Sequence, residues 1–421
     1  MNKKLPLNVL CLFAVLFCLN SRAFSQKNAD PGFLDSLIQA NNLLFPEVAA
    51  NPGKYQVQIL YTRIDRDKNN KPHFTTFKYH VDRNNYFYPA SSVKIAGAVT
   101  ALQKLNELNI SGLDKYTHLR IDSAFTGQTR VEKDDSSEDG LPSIANYIKK
   151  IFLVSDNDAF NRMYEFTGQK YLNEQLWKHG IKDVNLIHRV SVSLSREENR
   201  HTNPFTFYKD DKIIYSQPAQ YNPVQYKNTL PTLLKGKGYM EGDSLINQPK
   251  DFTWNNYFSL ESLQGILKAI MFPETLPRSK RFNLKEDDYR FLYKYMSMLP
   301  RESSYPRYKS KEYNDSYCKF LIFGDTKDPI PENIRIFNKI GLAYGFLTDN
   351  AYIVDFENKV EFMLSAVIYV NEDQIFNDDK YEYDQIGLPF LSNLGRVLLN
   401  YEVNRPRKYA PDLKKFMVDY K

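Results

Sequence analysis

Pro89-Ala90-Ser91-Ser92-Val93-Lys94 opens a run in which Ile95, Ala98, Val99, Leu102 and Leu105 recur at helical spacing before Gly112. The spacing predicts an amphipathic helix with Ser91 and Lys94 at its start, and one turn of helix sets a hydroxyl beside an amine. Serine is a poor nucleophile at neutral pH, and a neighbouring lysine of lowered pKa supplies the base it needs. The partial positive charge of first-turn N–H groups disfavours lysine protonation and favours an oxyanion at the carbon that the serine attacks. The plainer reading is a serine that caps an ordinary helix. The tetrad alone does not decide, because Ser316-Tyr317-Cys318-Lys319 has the same spacing in a polar stretch ahead of Phe320-Leu321-Ile322-Phe323.

Working outward from Ser91, Tyr55, Val57, Ile59 and Tyr61 alternate with polar residues as a half-buried strand, and Phe74 to Val81 returns after the charged turn from Asp65 to Pro72. A short helix is expected from Gly32 to Asn42. Beyond Ser91, Pro142 and Ser143 start a helix with Ile144, Ile148, Ile151 and Phe152 on one face. It stops at Ser155-Asp156-Asn157, and another helix follows from about Asp158 to Phe166, ending at Gly168. The tripeptide therefore sits in a connection between helices, a place that presents side chains.

Phe205 to Tyr257 holds six tyrosines and Lys235-Gly236-Lys237-Gly238 without sustained periodicity, and reads as an insertion. Its aromatic residues fit packing onto the domain better than a glycan or peptide groove. Helical spacing resumes at Leu260, Leu263, Ile266, Leu267 and Ile270, and again from Lys285 to Met298. Ile334 to Lys339, Ala351 to Phe356 and Val360 to Val370 read as strands, followed by a helix from about Leu388 to Tyr401. The expected fold is α+β, an antiparallel sheet built from N- and C-terminal segments and packed against a helical region.

Lys3 and Lys4, the apolar run Leu5 to Leu19 and Ala23-Phe24-Ser25 predict a secretory signal over residues 1–25, so the expected location is periplasmic or extracellular, across the inner membrane. Phe17 is too bulky for a lipid-attachment signal at Cys18. No later stretch has the roughly 20 apolar residues of a membrane span. Loss of Lys3, Lys4 and Arg22 with the leader takes the formal charge from +6 to +3, which gives no argument for nucleic acid. Cys11 and Cys18 leave with the leader and Cys318 stands alone, so no intramolecular disulfide is expected. Residues 26–404 are read as one domain, with the insertion at about 205–257, and 405–421 as a basic, solvated tail with modest affinity for anionic surfaces. A monomer is expected. The six histidines have no close ligand spacing and no phosphate-binding glycine loop occurs, so neither metal nor cofactor is expected.

Ser91-x-x-Lys94, Ser155-Asp156-Asn157 and Lys339-Ile340-Gly341 stand in order, the first at a helix start, the second between helices and the third on a strand. In this order and context the chain resembles the serine β-lactamases and penicillin-binding proteins, the Ser-Asp-Asn form pointing to class A β-lactamases. Asp158-Ala159-Phe160-Asn161, Tyr344-Gly345 and Ala351 to Val354 extend the resemblance, which covers about Gly32 to Tyr401. It implies that Ser91 attacks a carbonyl, that Lys94 is the base or part of a relay, and that Ser155 passes a proton to the leaving nitrogen. By the same resemblance Asn157 holds the substrate amide, Lys339 favours its carboxylate, Gly341 lies beside the substrate, and the N–H groups of Ser91 and Leu342 form an oxyanion hole.

Two departures bear on turnover. The family's third motif has a hydroxyl residue where this chain has Ile340, and loss of a charge-assisted hydrogen bond removes roughly 1.5–3 kcal/mol. The alternative reading has Ile340 as a plain strand residue and Lys339 in solvent. Class A enzymes also use a glutamate four residues before an asparagine; if Asn199 is that asparagine, the glutamate position is Ser195. Glu197 and Glu198 are the nearby candidates for a deacylation base, against a solvated acidic pair. The expected function is therefore acyl-serine hydrolysis of β-lactams. The alternatives are a D,D-peptidase or transferase acting on cell-wall peptides and a non-catalytic cell-wall-binding scaffold.

Overall fold

The computed structural model describes residues 32–420, so the predicted leader lies outside the described residues. Five strands make the central sheet: β1 (Gln58–Arg66), β2 (Pro72–Tyr79), β3 (Ile334–Ala343), β4 (Phe346–Asp355) and β5 (Val360–Tyr369). Their order is β3-β4-β5-β1-β2 and every pairing is antiparallel. The first and last parts of the chain meet where β1 lies on β5, Leu60 opposite Ser365. This is the expected mixed architecture. The β3 strand runs four residues further than its sequence pattern suggests, because Ile340 to Ala343 carry a glycine and an exposed Leu342 where the apolar run breaks.

Side-chain alternation along β1 feeds two apolar layers. Ile59 and Tyr61 face a cluster with Leu34 and Ile38 of α1 (Phe33–Ala40) and with Phe390, Leu394 and Leu398 of the C-terminal helix Leu388–Asn404. Leu60 and Ile64 face the larger cluster, which holds α2 (Lys94–Leu108), α3 (Ile144–Leu153), α4 (Asn157–Thr167), α5 (Gln169–Lys178), α6 (Leu260–Met271) and α7 (Glu286–Ser297). The α6 helix is tied to the sheet by polar bonds: Gln264 Nε2 donates to Leu60 O (2.8 Å) and Asn350 Nδ2 to Leu263 O (2.6 Å). The α5 helix escaped the sequence reading because its buried face alternates leucines with Gln169 and Asn173, whose amides bond the backbone of Ile187 and Leu186.

Residues 205–257 are stitched into the molecule by short strand pairs. Phe205–Lys209 pairs with His118–Ile121 on one side and with Lys212–Gln217 on the other, Tyr257–Phe258 pairs with Val184–Asn185, and Gly238–Glu241 runs parallel to Ile375–Phe376. Phe205, Phe207 and Phe252 are buried, so the segment packs on the domain through its aromatic residues.

The solvated tail is corrected. Arg405 pairs with Asp65 (2.6 Å) and with the buried Glu402 (2.6 Å), and Lys415 Nζ donates to Met271 O. Phe416, 1% exposed, sits among Phe272, Tyr293, Phe337 and Tyr352. A count of basic residues misses this because the anchoring groups are Phe416 and Leu413, spaced between lysines.

Candidate active site

A 3-10 turn over Ala90–Val93 carries Ser91 into the head of α2, with Ala90 in the left-handed region at φ +46°. That conformation costs a non-glycine residue about 1–2 kcal/mol and is held by the surroundings. Ser91 is half-buried, and among the described residues its hydroxyl is in no hydrogen bond; the neighbouring Ser92 is the one turned inward, donating to Pro89 O (2.6 Å). Edge strand β3 crosses in front of this turn. Gly341 permits the approach, since a Cβ there would lie 2.4 Å from Pro89 O and 3.0 Å from Ser92 N. Among the described residues the outer side of β3 has no strand partner, so alternate N–H groups of this edge face away from the sheet.

Ser155 also has positive φ (+59°), and it lies between α3 and α4 as the tripeptide predicts. The three residue types divide the work of the connection. Asp156 caps α4 by accepting from Ala159 N (2.8 Å), Ser155 turns its hydroxyl toward the two lysines, and Asn157 starts the helix. Lys94 Nζ donates to Ser155 O and to Asn157 Oδ1 (2.5 Å), with Ser155 Oγ at 3.4 Å. Lys339 Nζ donates to the same Ser155 Oγ at 2.8 Å and to Ile340 O at 3.0 Å. Three separated motifs thus converge on one hydroxyl.

Lys94 is fully buried, and burial together with the positive charge of Lys339 holds its pKa well below the ordinary lysine value. A neutral amine has two N–H groups and one lone pair. Ser155 O and Asn157 Oδ1 accept the two N–H groups, which leaves the lone pair to receive a hydroxyl proton. Burial also lowers Lys339, to about 8. The reading that placed Lys339 in solvent is therefore overturned: it is 2% exposed.

Ile340 is explained by the alternation of β3. Lys339 and Gly341 face the helical layer, while Ile340 joins the apolar cluster on the other face with Ile336, Phe320 and Leu321. The second tetrad separates as well. Ser316 Oγ bonds Thr326 O (2.5 Å), whereas Lys319 Nζ donates to Met296 O (2.8 Å) and Asn338 Oδ1 (2.6 Å), so its hydroxyl and amine have different partners.

The loop from Arg189 to Asn203 is pinned rather than free. Asn161, one turn along α4 from Asn157, clasps Val190 through both N–H and carbonyl, and Asn199 accepts from Arg189 N while donating to Ser195 O. Buried Arg189 pairs with Glu165 (2.8 Å). Ser195 caps the short helix Arg196–Arg200 in a capping box in which Glu198 accepts from Ser195 N (2.6 Å). Those bonds hold the Glu198 carboxyl below its ordinary pKa. Glu197 pairs with Arg200 (2.7 Å) and His201 (3.3 Å). The structure thus gives both carboxylates partners within their own loop and brings neither into a bond with Ser91, Lys94 or Asn157. Ser191, absent from the sequence reading, accepts from Asn157 Nδ2 (2.8 Å) and joins this loop to the site. No spacing in the sequence signals it, because its role depends on how the loop folds back over α4.

Residues 40–222 match a family model described as the beta-lactamase enzyme family, a span that includes Ser91, Lys94, Ser155 and Asn157 but not Lys339. No curated protein sequence matches significantly. Among solved structures, a beta-lactamase from Sphaerobacter thermophilus is similar at 12% identity with a TM-score of 0.48, over 88% of this chain and 98% of that one. A class A beta-lactamase from Clostridium kluyveri has 15% identity and a TM-score of 0.42, over 86% and 98%. A PBP-A mutant solved as an acyl-enzyme complex with penicillin G has 13% identity and a TM-score of 0.44, over 87% and 97%.

Proposed function

We propose, from the match of residues 40–222 to the beta-lactamase enzyme family, that this chain is an exported serine hydrolase acylated on Ser91 by β-lactams or related cell-wall amides. The observation that carries the reading is the convergence of Lys94 and Lys339 on Ser155 Oγ beside the turn that presents Ser91. Ser91 Oγ attacks the carbonyl carbon and gives its proton to the neutral Lys94 amine. The N–H groups of Ser91 and Leu342 receive the oxyanion, each such donor being worth roughly 2.7–4 kcal/mol in the transition state. As the C–N bond breaks, Ser155 passes a proton to the leaving nitrogen and is resupplied from Lys94, whose Nζ stands 3.4 Å away. Asn157 holds the substrate amide, Lys339 attracts the substrate carboxylate, and Gly341 keeps the wall beside it flat.

Release of the acyl group needs an activated water, and general-base help is worth about 10²–10⁴ in rate. With Glu198 capping its helix and Glu197 paired to Arg200, the acyl-enzyme persists. This favours a penicillin-binding-protein-like reading, in which cell-wall peptides are the substrates and β-lactams are slow ones, over rapid β-lactam hydrolysis. The test is a chase. Protein acylated with benzylpenicillin is freed of excess ligand, and its intact mass is followed with time. An adduct that outlasts minutes supports slow release; loss within seconds with one hydrolysed product per turnover contradicts it.

A further inference from the structure

An open pocket of about 360 Å³ adjoins the site, lined by Tyr88, His188, Ser191, Arg196, Trp254 and Tyr344 among others. Three of these belong to the surroundings of the candidate site: Tyr88 precedes the Ser91 turn, Tyr344 opens the turn that follows β3, and Ser191 accepts from Asn157 Nδ2. Its walls are aromatic. The rings of Tyr88 and Tyr344 lie 5.0 Å apart, His188 is parallel to Tyr88, and Phe252 backs both tyrosines.

Two polar groups in this pocket, the Arg196 guanidinium and the Nε2 atom of His188, have no carboxylate or hydrogen-bond partner among the described residues. Arg196 is exposed, and its guanidinium lies 3.8 Å from the centre of the Trp254 ring; the acidic neighbours Glu197 and Glu198 are committed to Arg200, His201 and Ser195. His188 donates from Nδ1 to Arg189 O, which leaves Nε2 as the acceptor of a neutral ring, and that buried atom bonds to nothing. Burial lowers the pKa of His188 and keeps it in this neutral form. The pocket therefore presents a stacked cation, an imidazole nitrogen able to accept, and flat apolar walls. A buried unpaired acceptor is costly, so it signals a group to be satisfied by a ligand.

We infer that this pocket binds the acyl side of the substrate and selects acyl donors that carry a second carboxylate on a flat or apolar stem. The carboxylate pairs with Arg196, the stem lies between Trp254 and the Tyr88–Tyr344 wall, and a substrate amide N–H donates to His188 Nε2. The assignment rests on Ser91 being the acylated residue, so the test separates binding from acylation. Calorimetry on Ser91→Ala protein compares benzylpenicillin with carbenicillin, which differs by a carboxylate on the benzyl carbon. Carbenicillin is expected to bind about tenfold more tightly, as a charge-assisted pair at a partly open site allows. In Ser91→Ala/Arg196→Gln the ratio falls to about one, and in Ser91→Ala/Arg196→Glu it inverts. Equal binding in the Ser91→Ala protein, a preference that survives Arg196→Gln, or no binding of either penicillin overturns the subsite. Acylation of the unsubstituted protein, followed separately by mass, reports on Ser91 alone.

Discussion

At the scale of single residues, the site depends on which groups are charged and how closely the backbone approaches them. Lys339, lowered to about 8 by burial, is protonated below that pH, the form that the proposed function requires for holding a substrate carboxylate. The second-order rate of acylation by a penicillin is therefore expected to fall as pH rises from about 7 to 9, and Lys339→Arg, whose guanidinium stays charged, should flatten that limb. The same shift has a stability sign. Between 8 and the ordinary value of 10.5 the unfolded chain binds the proton that the folded one has lost, so this lysine makes stability rise with pH across that window. Lys94→Ala should slow acylation by about 10²–10⁴ while the protein stays folded, measured by single-turnover mass kinetics. Ile340→Thr places a hydroxyl in an apolar cluster and should lower stability by about 1–3 kcal/mol in urea unfolding without restoring a substrate contact. Of these residues, Ser91, Lys94, Ser155, Asn157 and Lys339 were legible in the sequence, since each belongs to a short local pattern. The inward face of Ile340 was not, because which side of a strand meets the site depends on the partner layer.

Secondary-structure elements explain how three distant motifs come to share one hydroxyl. The β3 edge reaches the Ser91 turn only where Gly341 leaves room for Pro89 O. Gly341→Ala should displace the turn and reduce acylation about 10²-fold or more, since misplacement of about 1 Å has that effect; a loss under threefold would show that the close approach does not position Ser91. The α3 start was legible from Ser143, which accepts from Asn146 N, whereas α4 begins at Asn157, one residue before the expected Asp158, because Asp156 caps it by accepting from Ala159 N. Glu197 and Glu198 were legible as an acidic pair beside Asn199, but the clamps that Asn161, Asn199 and Arg189 place on the loop around them were not. An asparagine that grips backbone looks in sequence like any polar helix residue.

In the whole molecule, the sheet joins the two ends of the chain and sets the helical layer that holds the site. Alternating and helical periodicities carried that plan, and they failed where packing is aromatic and irregular. The 405–421 segment shows this: charge suggested solvent, while Phe416 inserts among Phe272, Tyr293, Phe337 and Tyr352. Phe416→Ala should cost about 3–5 kcal/mol, seen as a lower midpoint in denaturant. Lys339 and Lys94, the groups buried under this scaffold, give the molecule its expected chemistry, and that chemistry has one direct measurement. Protein treated with benzylpenicillin is digested and the modified peptide sequenced by mass spectrometry, with Ser91→Ala and Ser316→Ala run in parallel. The account predicts one penicilloyl group on Ser91, retained in Ser316→Ala and lost in Ser91→Ala. A modification on any other residue, or none at saturating ligand, would contradict it.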